Sequence, residues 1–338
     1  MTNKVKLATF GVVLAFISAL SLPLFITFNN IAADPIYAVY EQSMAATAIV
    51  TFLLLGLCEG TAGIIYMIYT TTYQGVPWRE YKRLWNFKVS RRVLMSSGMA
   101  AAATACLLLG ASLAGTTPAN ILMALMVVIV PIFSVIILKE RLPMRVIIGI
   151  VVVLVGCIAA AWEPPEASPN FYVGIILAIA APFLFTGETI ISSKGMEVTE
   201  PLHICGLYRM IGAAIIEILT AIVICLIAFG NLSVVSDIFK MVFSDGNIVL
   251  FLILTALAMC AQYGTVYTCW FYCGAARGTA VVQTGGIWSI PFGFLFAAMG
   301  IWPYHVTNLA IIGAVVVAVG VVLILAKPKD LFNLRKTV

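Results

Sequence analysis

The sequence predicts an all-α polytopic membrane protein: ten transmembrane helices as two inverted five-helix repeats, with both termini cytoplasmic. Three observations lead there. First, the 338 residues are 62% apolar and 10% charged, where a soluble domain carries about 25% charged residues. That leaves too little polar surface to cover a water-soluble globule. Second, the apolar residues fall in runs of about 20, the length at which a helix crosses the hydrocarbon core. The runs do not alternate with period two, which argues against a transmembrane barrel. Third, the chain reads as one unit written twice. GIVVVLVG (Gly149–Gly156) recurs as GAVVVAVG (Gly313–Gly320), six of eight residues identical at a spacing of 164. GVVLA (Gly11–Ala15) recurs as GIILA (Gly174–Ala178) at 163, and Pro131 and Pro143 recur as Pro291 and Pro303 at 160. The drift from 160 to 164 is about one helical turn, so an insertion of that size keeps nearly the same helix face.

In chain order, the spans are expected at 7–28, 44–72, 93–114, 119–138 and 144–162, then 171–193, 203–229, 247–273, 278–300 and 305–326. Lys4 and Lys6 precede the first span as in a signal peptide, but no small-residue cleavage site follows, so it is read as an uncleaved span. The second run is long enough to tilt or to extend past the bilayer. The linker EPPEASPN (Glu163–Asn170) separates a first repeat, 1–162, from a second, 171–326, because its prolines stop one helix and start the next. A tail, 327–338, follows. With the N-terminus inside, the inner segments hold 17 of the 19 basic residues, as the positive-inside rule requires. The outer segments hold only Lys240, and Arg209 lies within a span. Five spans per half then make the halves inverted with respect to each other, an architecture that places a binding site near the midplane between repeats.

The formal charge of +5 comes from the inner loops and is no nucleic-acid signal. The eight cysteines lie in or at the edges of apolar runs and read as small packing residues rather than a disulfide framework. Cys269 and Cys273 are one turn apart with no histidine near them, and the two histidines, His203 and His305, sit at span ends. No metal site, cofactor site or nucleotide-binding loop is expected.

The stretch PIFSVIILKERLPMRVIIGIVVVLVG (Pro131–Gly156) closely resembles the EamA repeat of the drug/metabolite transporter superfamily. In that repeat a helix starting near a proline ends in a Glu-Arg-Leu turn, and a Gly-rich helix follows. GIILAIAAPFLF, Lys194 and YRMIGAAI (Tyr208–Ile215) resemble the start of the repeat, where the family often places an arginine. The second half departs at one point, with Gly300 where the first half has Glu140, and the first half lacks an arginine in its second span. The resemblance implies a ten-helix carrier working by alternating access, with no particular substrate. It makes Glu140 and Arg141 a cytoplasmic turn paired across the interface between halves. It makes the second and seventh helices peripheral, and it lines the central cavity with the sixth, eighth and ninth.

Four charged residues lie inside spans, where they are costly and point to function. Arg209, about six residues from the cytoplasmic end, is expected to snorkel to the interface. Glu217, eight residues further on, need not pair with it. Glu59 sits mid-span. Glu188, on the cavity-lining sixth helix, is the leading candidate to exchange a proton for a cationic substrate, with Glu59 and Glu217 behind it. Its alternative role is a structural pair with Lys194 or another inward residue. Tyr263, Tyr267 and Trp270 share one face at i, i+4 and i+7. With Gln262, Gln283, Thr284 and Trp288 they form either a substrate-binding aromatic wall, since ring faces attract ammonium groups, or ordinary packing. Tyr272, Trp302 and Tyr304 read as an interfacial belt. Pro182, Pro291, Gly285 and Gly286 are candidate gating positions, breaks that are tolerated beside a cavity.

The expected function is secondary transport of a small polar metabolite, an amine or amino-acid-like compound, with the proton as coupling ion if one is used. The chain is expected to act as a monomer or homodimer in the cell membrane. Small residues such as Gly149, Gly156, Gly313 and Gly320 would allow close packing between two chains. The alternative within transport is a broad exporter of cationic drugs. An integral-membrane enzyme is a remote third, because the acids on the outer face (Asp34, Glu41, Glu163, Glu166, Asp237 and Asp245) are scattered over three loops.

Overall fold

The computed structural model describes residues 3–40, 43–84, 86–114, 119, 122–160, 171–196, 204–301 and 307–325. The expected linker, the C-terminal tail, Glu41, His203, Trp302, Tyr304 and His305 lie outside the described residues. The described elements are all helical. They are α1 (Asn3–Tyr40), α2 (Met44–Tyr73), α3 (Trp78–Leu84), α4 (Phe87–Ala114), α5 (Met126–Ile137), α6 (Met144–Ala160) and α7 (Phe171–Gly195). Next comes α8, a π-helix over Ile204–Gly212 that runs on as an α-helix over Ala213–Phe229. The rest are α9 (Ser233–Ser244), α10 (Gly246–Cys273), α11 (Ala275–Val282), α12 (Gly285–Ala298) and α13 (Asn308–Leu325).

Among the described residues, seven helices are long and apolar enough to cross a membrane, and three shorter apolar ones accompany them, Met126–Ile137, Met144–Ala159 and Ile311–Ile324. Large apolar side chains such as Ile176, Leu219, Ile227, Val315 and Val322 face outward, as lipid-facing positions do. The architecture fits a multi-pass membrane protein.

Three elements differ from the sequence expectation. Helix α1 does not stop near residue 28 but continues through Asn29 and Pro35 to Tyr40. One face of this extension turns inward, while Asp34 stays exposed. Asn29, Ala32, Ala33 and Ile36 are buried, and Tyr37 Oη lies 2.8 Å from Thr51 Oγ1. Helix α9 falls between two expected spans. It buries Val235, Ile238 and Val242 on one face and pairs Lys240 with Asp237 at 3.0 Å on the other, the pattern of a helix lying along an apolar surface. The ninth span is split, with a turn at Gln283–Thr284 joining α11 to α12. Pro182 and Pro291, by contrast, sit inside α7 and α12 without interrupting them.

Close packing at small residues sets how the helices pair. In lipid, where no hydrophobic force acts between helices, association rests on van der Waals contact and close backbone approach. The repeated glycine motif is one such contact. A Cβ on Gly149 would stand 2.9 Å from the Gly320 carbonyl oxygen, and one on Gly156 would stand 2.8 Å from that of Gly313. Helices α6 and α13 are therefore antiparallel, and their glycines are used within the chain rather than between chains. The other close pairs are also antiparallel. Helix α2 meets α8 with Gly56 at Ala214 and Ile218 and Gly63 at Met210 and Ile211. Helix α4 meets α7 with Ser96 at Ser192 and Gly110 at Gly174. Helix α1 meets α10 with Gly11 at Tyr272 and Phe28 at Phe251. Helix α5 meets α11, with Gln283 Nε2, just past the end of α11, 3.1 Å from Met126 Sδ.

Candidate functional site

The site grows from the π segment that opens α8. A π-helix is less favourable than an α-helix and is usually held by side chains at a functional position. Here Ser97 of α4 donates its hydroxyl to the Tyr208 carbonyl. Gly206 and Gly212 let Tyr66 and Ser97 come close to the backbone. Arg209 lies in this segment. Its residue is 2% exposed, so it does not snorkel to the interface as the sequence suggested. Too many partners hold it inside.

Arg209 Nη1 donates to Glu59 Oε2 on α2 at 2.5 Å, and Nη2 donates to Thr104 Oγ1 on α4 at 3.2 Å. Nε stands 3.2 Å from Glu188 Oε1 on α7. The guanidinium carbon lies 3.9 Å from the centre of the Tyr263 ring on α10, a cation–π contact. Tyr267, one turn beyond Tyr263, donates its hydroxyl to Glu188 Oε1 and meets Trp270 edge-on, with ring centroids 5.0 Å apart. Five helices drawn from both halves of the chain thus converge on one guanidinium. The shape of that group suits the task, because a planar fork can serve several acceptors and a ring face at once.

The structure therefore joins residues that stand apart in the sequence. Glu59 was expected on a peripheral helix but is buried against Arg209. Glu188 is paired with Arg209 and Tyr267 rather than with Lys194. Glu217 is fully buried, and neither of its carboxyl oxygens has a hydrogen-bond partner among the described residues. The aromatic stripe faces inward, and the face of Tyr263 is occupied by the protein's own cation. Gln262 is buried on the same helix, with its side-chain oxygen unpartnered among the described residues. Gln283 and Thr284 form the turn between α11 and α12, and Trp288 lies half-buried beyond it on α12. Gly285 packs tightly on α1 at Ala19 and Leu22, whereas a side chain at Gly286 would meet open space.

Glu140 serves a different place. Its Oε1 accepts from the Ala275 amide at 2.9 Å and its Oε2 from the Ala276 amide at 3.3 Å. The carboxylate thus caps the N-terminus of α11, where negative charge is favoured. It ties the turn after α5 to the start of α11, while Arg141 is exposed. Among the described residues, no group of three or more His, Cys, Asp or Glu is placed to hold a metal ion.

Thr104 and the π segment went unseen in the sequence. A threonine in an apolar helix has no distinguishing pattern, and a π-helix carries no periodic signature.

No family model matches the sequence. No curated protein matches it either. The fold is similar to that of a solved structure described as "Crystal structure of protein", with a TM-score of 0.63 and 14% identity over 92% of this chain and 97% of the other. That likeness concerns the fold alone.

Proposed function

We propose that this chain is a secondary transporter that carries a small, positively charged or zwitterionic metabolite by alternating access. The observation that carries the reading is the buried network of Glu59, Arg209 and Glu188. Charged groups inside a membrane bundle are expensive, and where they persist they mark a pathway or relay. This network joins helices of both halves, so a relative movement of the halves changes its pairing.

Internal symmetry supports the reading. Exchange α1 with α7, α2 with α8, α4 with α10, α5 with α12 and α6 with α13. The pair α1–α10 then becomes α7–α4, the pair α1–α12 becomes α7–α5, and the pairs α2–α8 and α6–α13 map onto themselves. The largest helix contacts in the bundle obey this rule. Breaks fall at related positions as well, at the Ala124–Leu125 turn before α5 and at Gln283–Thr284. The fourth and ninth spans end on left-handed residues, Lys139 at φ 56° and Gly300 at φ 69°. In backbone terms Gly300 answers to Lys139 rather than to Glu140. Seven long apolar helices and three short ones agree with ten spans as two inverted repeats, and discontinuous helices beside a central site are common in such carriers.

Mechanistically, a substrate ammonium competes with Arg209 for Glu188 and Tyr267. While Arg209 holds Glu188, the acid is neutralised from within. A cationic substrate, or a proton on Glu188, replaces that partner and releases the guanidinium. The network then has two arrangements, which alternating access requires of a binding site.

The test is a thermal-shift screen of the purified protein against amines, quaternary ammonium compounds, amino acids, nucleobases and sugars. A ligand for the folded state raises the melting temperature by mass action. The proposal expects a selective hit among the amines or amino acids that is lost in Tyr267→Ala. Weak shifts with many unrelated hydrophobic cations would favour a broad drug exporter instead.

A further inference from the structure

The transport reading gives Glu188 a role and leaves Glu217 without one. Glu217 is as deeply buried as any of the described residues. It lies on the buried face of α8 with Ala213, Ala214, Ala221 and Cys225, none of which offers a side-chain donor suited to a carboxylate. That face packs tightly on α2 at Gly56. Both Glu217 oxygens lack hydrogen-bond partners among the described residues, and so does Glu59 Oε1.

The charge balance decides what Glu217 is. Arg209 is engaged by Glu59 and Glu188. With both of those acids ionised, the three residues sum to −1. An ionised Glu217 would raise this to −2 and would stand without a single donor. A buried carboxylate in that position is not tolerated, because nothing replaces its lost hydration. A neutral carboxyl is tolerated. The charged and titratable groups that face Glu217 from the surrounding elements are Cys58 and Glu59 of α2, Arg209 of α8 and Tyr263 of α10. Helix α4 brings Ser97 and Thr104 to the cluster, neither of which titrates in this range. On α9, Asp237 and Lys240 are exposed and paired with each other.

We propose that Glu217 is a resident proton-binding site within the membrane, separate from Glu188 and protonated in the conformation described here. The proton sits on a Glu217 carboxyl oxygen. Its release leaves a carboxylate whose one cationic neighbour is Arg209, so the guanidinium is drawn away from Glu188. Proton release at one acid thus vacates the other. This coupling rests on the transporter reading, but the protonation state does not.

The experiment is infrared spectroscopy of the full-length protein in lipid vesicles at neutral pH, which reads protonated carboxyl groups through a C=O band above the amide region. We expect such a band in the wild type, shifted in heavy water, absent in Glu217→Gln, and retained in Glu59→Gln and Glu188→Gln. Glu217→Gln swaps a neutral carboxyl for a neutral amide of similar shape, so it should melt close to wild type. Glu217→Asp provides a second variant, in which the band should move rather than vanish. A wild-type spectrum without the band overturns the proposal, as does a band that survives in Glu217→Gln or is lost in Glu59→Gln or Glu188→Gln instead. A band that appears only when sodium is replaced by a bulky organic cation would make the site a cation site and would equally overturn it. None of these outcomes depends on transport, so failure here is distinct from failure of the transporter reading.

Discussion

Arg209 and Glu59 are 150 residues apart in the chain and 2.5 Å apart in the fold, both almost wholly buried. The pair fastens α8 to α2. Neutralising only Arg209, as Arg209→Gln, leaves two buried acids without their cation. Breaking a buried pair from one side costs about 3–5 kcal/mol. A thermal melt in detergent should show Arg209→Gln strongly destabilised. The double variant Arg209→Gln with Glu59→Gln should recover part of the loss.

Tyr267 hydrogen-bonds Glu188, and a bond to a charged group contributes about 1.5–3 kcal/mol. Tyr267→Phe keeps the ring and its contact with Trp270 but removes that donor. It should weaken substrate affinity, raising the half-saturation concentration about tenfold or more by that energy, with only a modest fall in melting temperature. Equal losses in both would make Tyr267 a packing residue.

Gly149 and Gly320 touch across α6 and α13, whereas Gly286 faces open space. Gly149→Leu forces the two helices apart and should destabilise by about 1–3 kcal/mol or more, the range for overpacking. Gly286→Ala should be near neutral. Melting both variants side by side checks the pairing.

These glycines also show how far the sequence could be read. The motif around Gly149 and Gly313 was the sequence's reason to expect an internal repeat, because its small residues recur in the same order at a nearly constant offset. What its helices touch was not legible, and the structure spends these residues inside the chain. Glu59, Glu188, Arg209 and Glu217 stood out singly because charge in an apolar run is conspicuous. Their pairing was hidden, since spacing along the chain carries no information on contacts 150 residues apart. The snorkelling expected of Arg209 failed because depth was counted in residues, without regard to partners. The length of α1 was missed because Asp34 read as an acid of an outer loop, although the helix runs on past it to Tyr40 with Asn29 buried.

Glu140 joins the two halves by capping α11. Losing a cap costs about 0.5–2 kcal/mol, enough to shift a balance between two conformations. With the other cysteines replaced, Cys273, buried beside Gly274, should react with a water-soluble maleimide faster in Glu140→Ala than in wild type. An unchanged rate would mean that the cap does not restrain movement at this end of α10.

The most direct test of the central claim is current across a supported membrane bearing proteoliposomes, recorded on rapid addition of the compounds that shift the melting temperature. The account predicts a transient current for at least one positively charged or zwitterionic metabolite, abolished in Glu188→Gln while that variant remains folded. The same current persisting undiminished in Glu188→Gln would contradict it.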